Sequence, residues 1–317
     1  AGGGISAALN LQLVLQDSRV TDNALQDTLL DEAFTSVKGN GGGVLLQMLS
    51  TMHMSRTLLA HNRAFRSGGC VHMAESELLV SDGAVFEKCT ATTSGGGLSM
   101  QSGWASFSGA VNFTSNTASK GNGGALRCDN SLVNFDKEAV VHIDRNSAQA
   151  MGGALSLESN CHMTAHNTSH VHLSSNTALL QGGAAMLHQF STLELHSGTC
   201  TEDGEGGAEC LDHSAGTVIE DNTSQEDGGG VFLTERATLH VFGRALIRSN
   251  TAVGNGGAVA TAGGVVNFAG AHIFQGNSAG GSGGATAFAR AATEDADLGV
   301  ILRGTTWQNN TAGQDGG

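Results

Sequence analysis

Four histidines stand close together in one short stretch of this sequence, CHMTAHNTSHVHL, which begins at Cys161. They are His162, His166, His170 and His172. Imidazole nitrogens bind transition metals, and on a helix such a cluster would indicate a metal site. This stretch instead has the composition of strand and turn. We therefore interpret the four histidines as ordinary exposed side chains and predict no metal site. His142 and His172 precede equivalent apolar residues, so we expect them to stack outward in adjacent repeats.

Carboxylates are concentrated in two acidic stretches, at 202–205 and 294–297. Paired carboxylates cleave glycosidic bonds by general acid and base catalysis, and carboxylate oxygens bind Ca²⁺. Both stretches lie in predicted loops, which favours solvated side chains, with a Ca²⁺ site as the alternative. The triplets typical of polygalacturonases (Asn-Thr-Asp, Gly-His-Gly) do not occur, nor does the glycine-rich calcium nonapeptide. We therefore predict no cofactor and no catalytic residue.

The cysteines favour disulfides over zinc, because no two of them form a Cys-x-x-Cys pair. There are six: Cys70, Cys89, Cys128, Cys161, Cys200 and Cys210. The last two enclose the segment TEDGEGGAE and form the candidate disulfide. The middle two lie in successive repeats and are a less favoured pair. The first two occupy inner positions of the repeat, where we expect buried thiols. Export from the cytoplasm would permit such bridges.

Four Asn-x-Ser/Thr sequons occur, which matter only in a eukaryotic secretory route. Asn112, Asn167 and Asn309 are candidate glycosylation sites, and Asn167 is the best of them. Asn222 falls at a repeat position where its amide is predicted to be buried, so we expect it to be unavailable.

The charge balance excludes several classes of partner. Lys and Arg number 15 and Asp and Glu 29, for a formal charge of −14. Nucleic acids and anionic membrane surfaces both require clustered basic residues. No run of about 18 apolar residues occurs, so no membrane helix is predicted. Glycine is abundant, at 47 residues, and proline is absent, as suits a chain rich in strands.

An internal repeat runs along most of the chain. Its pattern is apolar-x-x-Asn-x-Ala followed by Gly-Gly-small-apolar, as in FTSNTASKGNGGAL from Phe113. Ten copies have first glycines 22–33 residues apart, and the segment from Leu195 is a degenerate copy. Residues 59–317 hold the clear copies, and 1–58 hold weaker ones. We expect one solenoid domain over 1–317 that is a fragment of a longer array.

The repeat predicts a parallel β-helix. Each copy contains three short alternating runs and no segment of helical period, so a coil has three strands. We expect right-handed coiling, with about eleven coils of roughly 22–33 residues. A leucine-rich-repeat-like solenoid is the alternative, although glycine pairs would disrupt its helices.

Each motif position then has a structural role. Aligned asparagines should form a ladder of hydrogen bonds between turns, and aligned apolar residues should stack in the core. The predicted ladder is Asn62, Asn116, Asn146, Asn176, Asn222, Asn250, Asn277 and Asn310, with Cys89 in the place of one asparagine. The predicted core stack is Leu59, Phe86, Phe113, Ile143, Leu173, Ile219, Ile247, Phe274 and Trp307.

The motif pair resembles the repeats of the polymorphic outer membrane proteins of chlamydiae, GGA(I/L/V) and FxxN. Similar repeats occur in surface proteins of algae and other protists. The literal forms here are 113–116 and 274–277 for FxxN, and 123–126, 152–155 and 256–259 for the glycine motif. The resemblance covers roughly 59–317. It implies a right-handed β-helix that is exported to the cell surface and has an adhesive role.

These features predict a non-catalytic extracellular or cell-surface β-helix, acting as a structural rod, filament component or adhesive stalk. Expected partners are further copies of the chain, neighbouring surface or matrix proteins, and glycans, but not nucleic acid or the membrane interior. The alternative is a carbohydrate-active enzyme or polysaccharide-binding module. That alternative predicts two or more carboxylates with an arginine in a groove on one sheet.

Overall fold

The chain is an all-β parallel solenoid, as predicted. The computed structural model describes residues 3–25, 39–136, 138–166, 169–197, 200–202, 208–210, 216–289 and 299–316, with backbone only for 200–202 and 208–210. No helix occurs within these ranges. The strands are β1 Ile5–Ala7, β2 Gln12–Gln16, β3 Arg19–Thr21, β4 Val44–Gln47, β5 Thr51–Ser55, β6 Leu58–Ala60, β7 Arg63–Ala64, β8 Val71–Ala74, β9 Glu77–Ser81, β10 Ala84–Glu87, β11 Thr90–Ala91, β12 Leu98–Gln101, β13 Trp104–Phe107, β14 Ala110–Thr114, β15 Thr117–Ala118, β16 Leu126–Asp129, β17 Leu132–Phe135, β18 Val140–Asp144, β19 Ser147–Ala148, β20 Leu155–Glu158, β21 His162–Ala165, β22 His170–Ser174, β23 Thr177–Ala178, β24 Ala185–Leu187, β25 Thr192–Ser197, β26 Cys200–Glu202, β27 Ala208–Cys210, β28 Thr217–Glu220, β29 Thr223–Ser224, β30 Val231–Arg248, β31 Thr251–Ala252, β32 Val259–Gln275, β33 Ser278–Ala279, β34 Thr286–Ala289, β35 Gly299–Gln308 and β36 Thr311–Ala312.

Three parallel ladders form the long faces of the solenoid. The first face begins with β1, β4 and β8, the second with β2, β5 and β9, and the third with β3, β6 and β10. Strands β30 and β32 pass without a break through all three faces. Each inner face is apolar and the outer faces are mostly polar, as the alternation in the sequence predicts, except that Met186, Phe232 and Ala260 form an apolar cluster on the outer side of the first face. The leucine-rich-repeat alternative is therefore wrong.

A fourth, two-residue ladder lies at the corner after the third face, which the sequence did not predict. Nine corner strands, from β7 to β36, form a nine-stranded parallel sheet. An isolated parallel bridge between Ala24 and Arg63 adds one more coil to it. The weak copies before residue 59 are therefore true coils, in agreement with the pairing of Ile5 and Val44.

The glycine pair turns the chain from the corner into the first face. Gly123 has φ 65°, a conformation that glycine adopts without steric cost. A Cβ on Gly124 would lie 2.6 Å from the backbone nitrogen of Ser147 in the next coil. The first glycine thus serves the turn, and the second allows neighbouring coils to approach.

The predicted core stack is confirmed. Its nine residues pair directly from coil to coil along the third face. All are buried except Trp307, which is 40% exposed in the last coil. The rings of Phe86 and Phe113 stack at 4.3 Å, as do those of Phe274 and Trp307. Such stacking adds roughly 0.5–1.5 kcal/mol per pair to the gain from burial.

The degenerate copy from Leu195 is not a coil, and that prediction was wrong. Strand β22 pairs directly with β28, so Leu173 lies opposite Ile219. The backbone between them forms an antiparallel pair, β26 with β27, outside the coil ladder. This coil therefore contains an insertion, and its ladder asparagines are 46 residues apart instead of the 22–33 predicted.

Candidate functional site

The predicted asparagine ladder is confirmed. Six of the eight ladder asparagines donate from the backbone N–H and from Nδ2 to the Oδ1 of the asparagine in the next coil; they are Asn116, Asn146, Asn176, Asn222, Asn250 and Asn277. The Nδ2···Oδ1 distances are 2.9–3.0 Å. The second Nδ2 hydrogen goes to the carbonyl of the core residue one coil back, at 2.7–3.0 Å. The side-chain polar atoms of these six buried amides are thus all hydrogen-bonded. Asn23 continues the ladder backward to Asn62, a member that the sequence pattern missed.

One interruption of the ladder coincides with a disulfide. Cys89 occupies the place of an asparagine, and its backbone N–H donates to Oδ1 of Asn116 at 3.0 Å. Its Sγ is bonded to Cys70, so the prediction of two buried thiols was wrong. The less favoured pair, Cys128 with Cys161, also forms a disulfide. Cys200 and Cys210 lie opposite each other in the β26–β27 pair, but their side chains are outside the described part, so this bridge stays a prediction.

The polar cluster that best matches the enzyme alternative lies on the outer side of the first face. Arg127 donates from Nε and Nη2 to Oε2 of Glu158, at 3.1 and 2.7 Å, and from Nη2 to Asp129 at 2.9 Å. Ser156 and Asn122 donate to the other oxygen of Glu158, at 2.7 and 3.0 Å. The side chains of Arg127 and Glu158 are only 21% and 16% exposed. Two carboxylates and an arginine therefore meet on one face, which is the residue set of that alternative without the groove it predicts.

The electrostatics of this cluster differ from those of a glycosidase. Burial alone would raise the pKa of Glu158, but the charge and hydrogen bonds of Arg127, with those of Ser156 and Asn122, hold it below its ordinary value. The general acid of a glycosidase needs a raised pKa. Glu158 is saturated with donors and has no proton to give near neutral pH. The cluster therefore ties adjacent coils together through a partly buried ion pair.

Two histidines of adjacent coils meet on the outer side of the third face, where they were predicted to lie. His142 pairs with His172, and their rings meet edge to face with centroids 5.6 Å apart. His172 Nε2 lies 2.8 Å from Glu220, which also accepts from Arg248 at 2.5 Å. Burial, and then the neighbouring His172, lower the pKa of His142. Glu220 is therefore already occupied by two partners.

A second group of histidines lies near a glutamate on the outer side of the second face; His162 and His196 are 3.9 and 3.6 Å from that glutamate, Glu194. This second-face histidine cluster consists of His162, His166, Glu194, His196 and His240. Sequence reasoning found its first two members but missed the others, because they belong to later coils. The signal that would have found them is the alignment of strands, which the insertion after β25 obscures. Within the described ranges, no group of three or more His, Cys, Asp or Glu side chains could hold a metal ion.

The candidate glycosylation sites differ in exposure. Asn309 is exposed, Asn112 is half-buried, and Asn222 is fully buried in the ladder, as expected. Asn167, the favoured site, lies outside the described residues. So do residues 203–207 and 290–298, which hold most of the acidic stretches, and the Ca²⁺ alternative stays untested. The described ranges contain no helix that would span a membrane.

Comparisons with known proteins found no relative. No protein-family model matches the chain. Neither the curated proteins nor the solved structures include a match.

Proposed function

We propose that this chain is a non-catalytic, extracellular or cell-surface rod that serves as a structural element or adhesive stalk. The observation that carries the proposal is where the repeated residues lie. Each recurring element (core residue, asparagine, corner alanine and glycine pair) is buried or forms a turn that joins coils. The residues that recur in the sequence are therefore those that join one coil to the next. A chain built from stacked coils extends in one dimension.

Two further features support this location and role. Disulfides form and persist in oxidising compartments, and two of them lie in the core of the part of the chain that the structure describes. The resemblance to the chlamydial surface repeats implies export and adhesion. Neighbouring surface proteins, matrix proteins and glycans are the partners that such a stalk would meet.

Antibody labelling tests the proposed location. Antibodies raised against the purified chain should label intact cells of the source organism without permeabilisation. Mild external protease should remove this labelling while an internal marker protein stays intact. Labelling that requires permeabilisation would contradict the proposal.

The second candidate function is cleavage of a polysaccharide, which the Arg127–Asp129–Glu158 cluster favours. Its test is incubation of the purified chain with pectin, xylan and alginate, followed by assay for new reducing ends and unsaturated uronates. We expect no product above the blank, because Glu158 has a lowered pKa. Product formation that Glu158→Gln abolishes would replace our proposal with the enzyme.

A further inference from the structure

The outer side of the first face changes in character along the solenoid. One column of outward side chains runs through Met186, Phe232, Ala260 and Ala287, which pair directly in four successive coils. Met186 and Phe232 are large and almost fully buried, whereas the two alanines end at Cβ. The column therefore loses side-chain volume, although the backbone ladder keeps the coils at a constant spacing.

A cavity of about 490 Å³ lies where these side chains become small. Ala260 and Ala287 line it, Phe232 lines the end closer to the insertion, and half-buried Phe288 adds further apolar surface. The volume of this first-face cavity is within the range of about 300–1,000 Å³ that is usual for ligand sites.

One wall of the first-face cavity is an ordered row of polar residues. Asp227, Asn255, Ser282 and Asp315 each precede a glycine pair, and backbone hydrogen bonds join their turns. Asn255 donates from its backbone N–H and from Nδ2 to Oδ1 of Asp227, at 2.6 and 3.0 Å. Its own Oδ1 accepts from the backbone N–H of Ser282 at 2.8 Å. This wall is therefore held in place before a ligand arrives.

The charge of the cavity lining has a single sign. Asp227 and Asp315 are its charged residues, and no lysine, arginine or histidine is among the described residues that line it. The whole chain has a formal charge of −14, so the wider field has the same sign. An anionic ligand would be repelled. The complementary ligand has an apolar group for the alanines and cationic groups for the wall.

The packing of the coil does not require the cavity. A Cβ on Gly228 would lie 2.9 Å from Cβ of Phe232, and a Cβ on Gly283 would lie 3.0 Å from Cβ of Ala287. The turn thus approaches the column equally closely in both coils, yet only the first of them carries a large side chain. A cavity without that side chain lacks its favourable contacts, which a ligand can supply.

The two carboxylates are too far apart for one small cation. Asp227 and Asp315 are three coils apart along the wall, which at about 4.8 Å per coil is roughly 14 Å. An extended peptide covers this distance in about four residues. A sugar is the less suitable ligand, because Asn255 already uses its amide within the wall.

We propose that the first-face cavity binds an extended peptide segment of another protein, in which a large apolar side chain lies between two basic residues. The apolar side chain contacts Phe232, Ala260 and Ala287, and the basic residues pair with Asp227 and Asp315. This inference deepens the proposed adhesive role and rests on it only for the place where the partner is met. Binding is measured with the purified chain, so its absence would refute the peptide site, while antibody labelling still decides the location.

Titration of the ¹⁵N-labelled chain with the peptide acetyl-Lys-Gly-Phe-Gly-Lys-amide, followed by amide chemical shifts at pH 7.5, tests the site. We expect saturable shifts around Ala287 and a Kd of roughly 1 mM or tighter at ~50 mM NaCl. Acetyl-Lys-Gly-Gly-Gly-Lys-amide lacks the apolar group, and acetyl-Glu-Gly-Phe-Gly-Glu-amide has the opposite charge. Each should bind at least about tenfold more weakly.

Two variants of the chain remove the two parts of the site separately. Ala287→Leu fills the cavity and should weaken binding at least about tenfold, with an unfolding midpoint no lower than that of the wild type. Asp227→Asn keeps the acceptor for Asn255 but removes a charge, and should weaken binding at least about threefold. Asp82→Asn is the matched control, because it removes the same charge in the turn between β9 and β10. It should bind the peptide as tightly as the wild type does.

Three results would overturn the proposal. The first is the absence of saturable shifts below about 10 mM peptide. The second is binding of the glutamate peptide, or of cellohexaose, at the same amides with equal or higher affinity. The third is unchanged affinity in both Ala287→Leu and Asp227→Asn.

Discussion

A single ladder asparagine bonds the coils on both sides of it. Nδ2 of Asn146 donates forward to Asn176 and back to the carbonyl of Phe113, at 3.0 and 2.9 Å. Its Oδ1 accepts from the backbone and side chain of Asn116, at 2.8 and 3.0 Å. Aspartate lacks the donors, and glutamine is too long for the turn. The residue type is thus fixed by four directed hydrogen bonds, each worth about 0.5–1.5 kcal/mol.

Asn146→Ala should therefore destabilise the fold by at least ~2 kcal/mol. The substitution leaves buried donors of Asn116 and a buried carbonyl of Phe113 short of partners, and each such group costs about 1–3 kcal/mol. The measurement is the free energy of unfolding from denaturant titration. Asn112→Ala, which changes an outward asparagine one coil earlier, should stay within about 0.5 kcal/mol of the wild type. Equal losses in both variants would contradict the role of the ladder.

A turn can lack its ladder asparagine where another bond, such as a disulfide, holds the turn in place. At Cys89 the amide is missing, and the disulfide links the same turn to Cys70, the residue just before β8, which is the first-face strand of the same coil. The Cys128–Cys161 disulfide instead joins two successive coils, from β16 to the residue before β21. Disulfides thus act beside the hydrogen-bonded ladder, one within a coil and one between coils.

Replacing the first disulfide by an asparagine should restore part of its contribution. The variant Cys70→Ala/Cys89→Ala loses the bridge and leaves the gap in the ladder, and we expect a loss of about 2–5 kcal/mol. Cys70→Ala/Cys89→Asn supplies a side chain that can bond Asn62 and Asn116, so its stability should lie between that variant and the wild type. Thermal unfolding of the three proteins without reductant provides the comparison. If the asparagine variant is no more stable than the alanine variant, position 89 is not a ladder position.

The sequence correctly predicted the elements whose residues recur from one coil to the next. Phe113 and Asn116 recur at a nearly constant interval, so local periodicity was enough to place them. The Cys70–Cys89 pair was not predictable, because it depends on the turn geometry within one coil. The insertion was mistaken for a coil because Gly206-Gly207 imitates the glycine pair. The second-face histidine cluster depends on the pairing of β25 with β30, which lie on the two sides of the insertion. The spacing of residues in the sequence does not reveal that pairing.

The whole molecule should lose stability in mild acid. Burial lowers the pKa of His272 to about 4 within the solenoid, and burial together with Arg127 lowers that of His72 to about 4. Both imidazoles are therefore neutral in the folded chain between pH 4 and 6.5, whereas the unfolded chain binds a proton at each. Stability is fully present above pH 6.5 and is lost as the pH falls toward 4.

At pH 5 the expected loss is about 2 kcal/mol per histidine relative to pH 8. His272→Leu should remove the part of this stability loss that comes from His272, because leucine cannot bind the proton. Denaturant unfolding at pH 8 and pH 5 measures the stability loss of the wild type and of His272→Leu. His61→Gln, which changes an exposed histidine, serves as the matched control and should leave the pH dependence as it is in the wild type. A wild type that is equally stable at both pH values would contradict the buried, neutral state of these histidines.

The direction of the asparagine bonds has one more consequence. In each of the six asparagine pairs from Asn116 to Asn310, the backbone N–H of one coil donates to Oδ1 of the asparagine in the next coil, and none of these pairs runs the other way. Two copies stacked in continuation of this ladder would have to face the same way, because a reversed copy would oppose donor to donor or acceptor to acceptor. A filament assembled in this manner would have two chemically distinct ends, and its growth could differ between them.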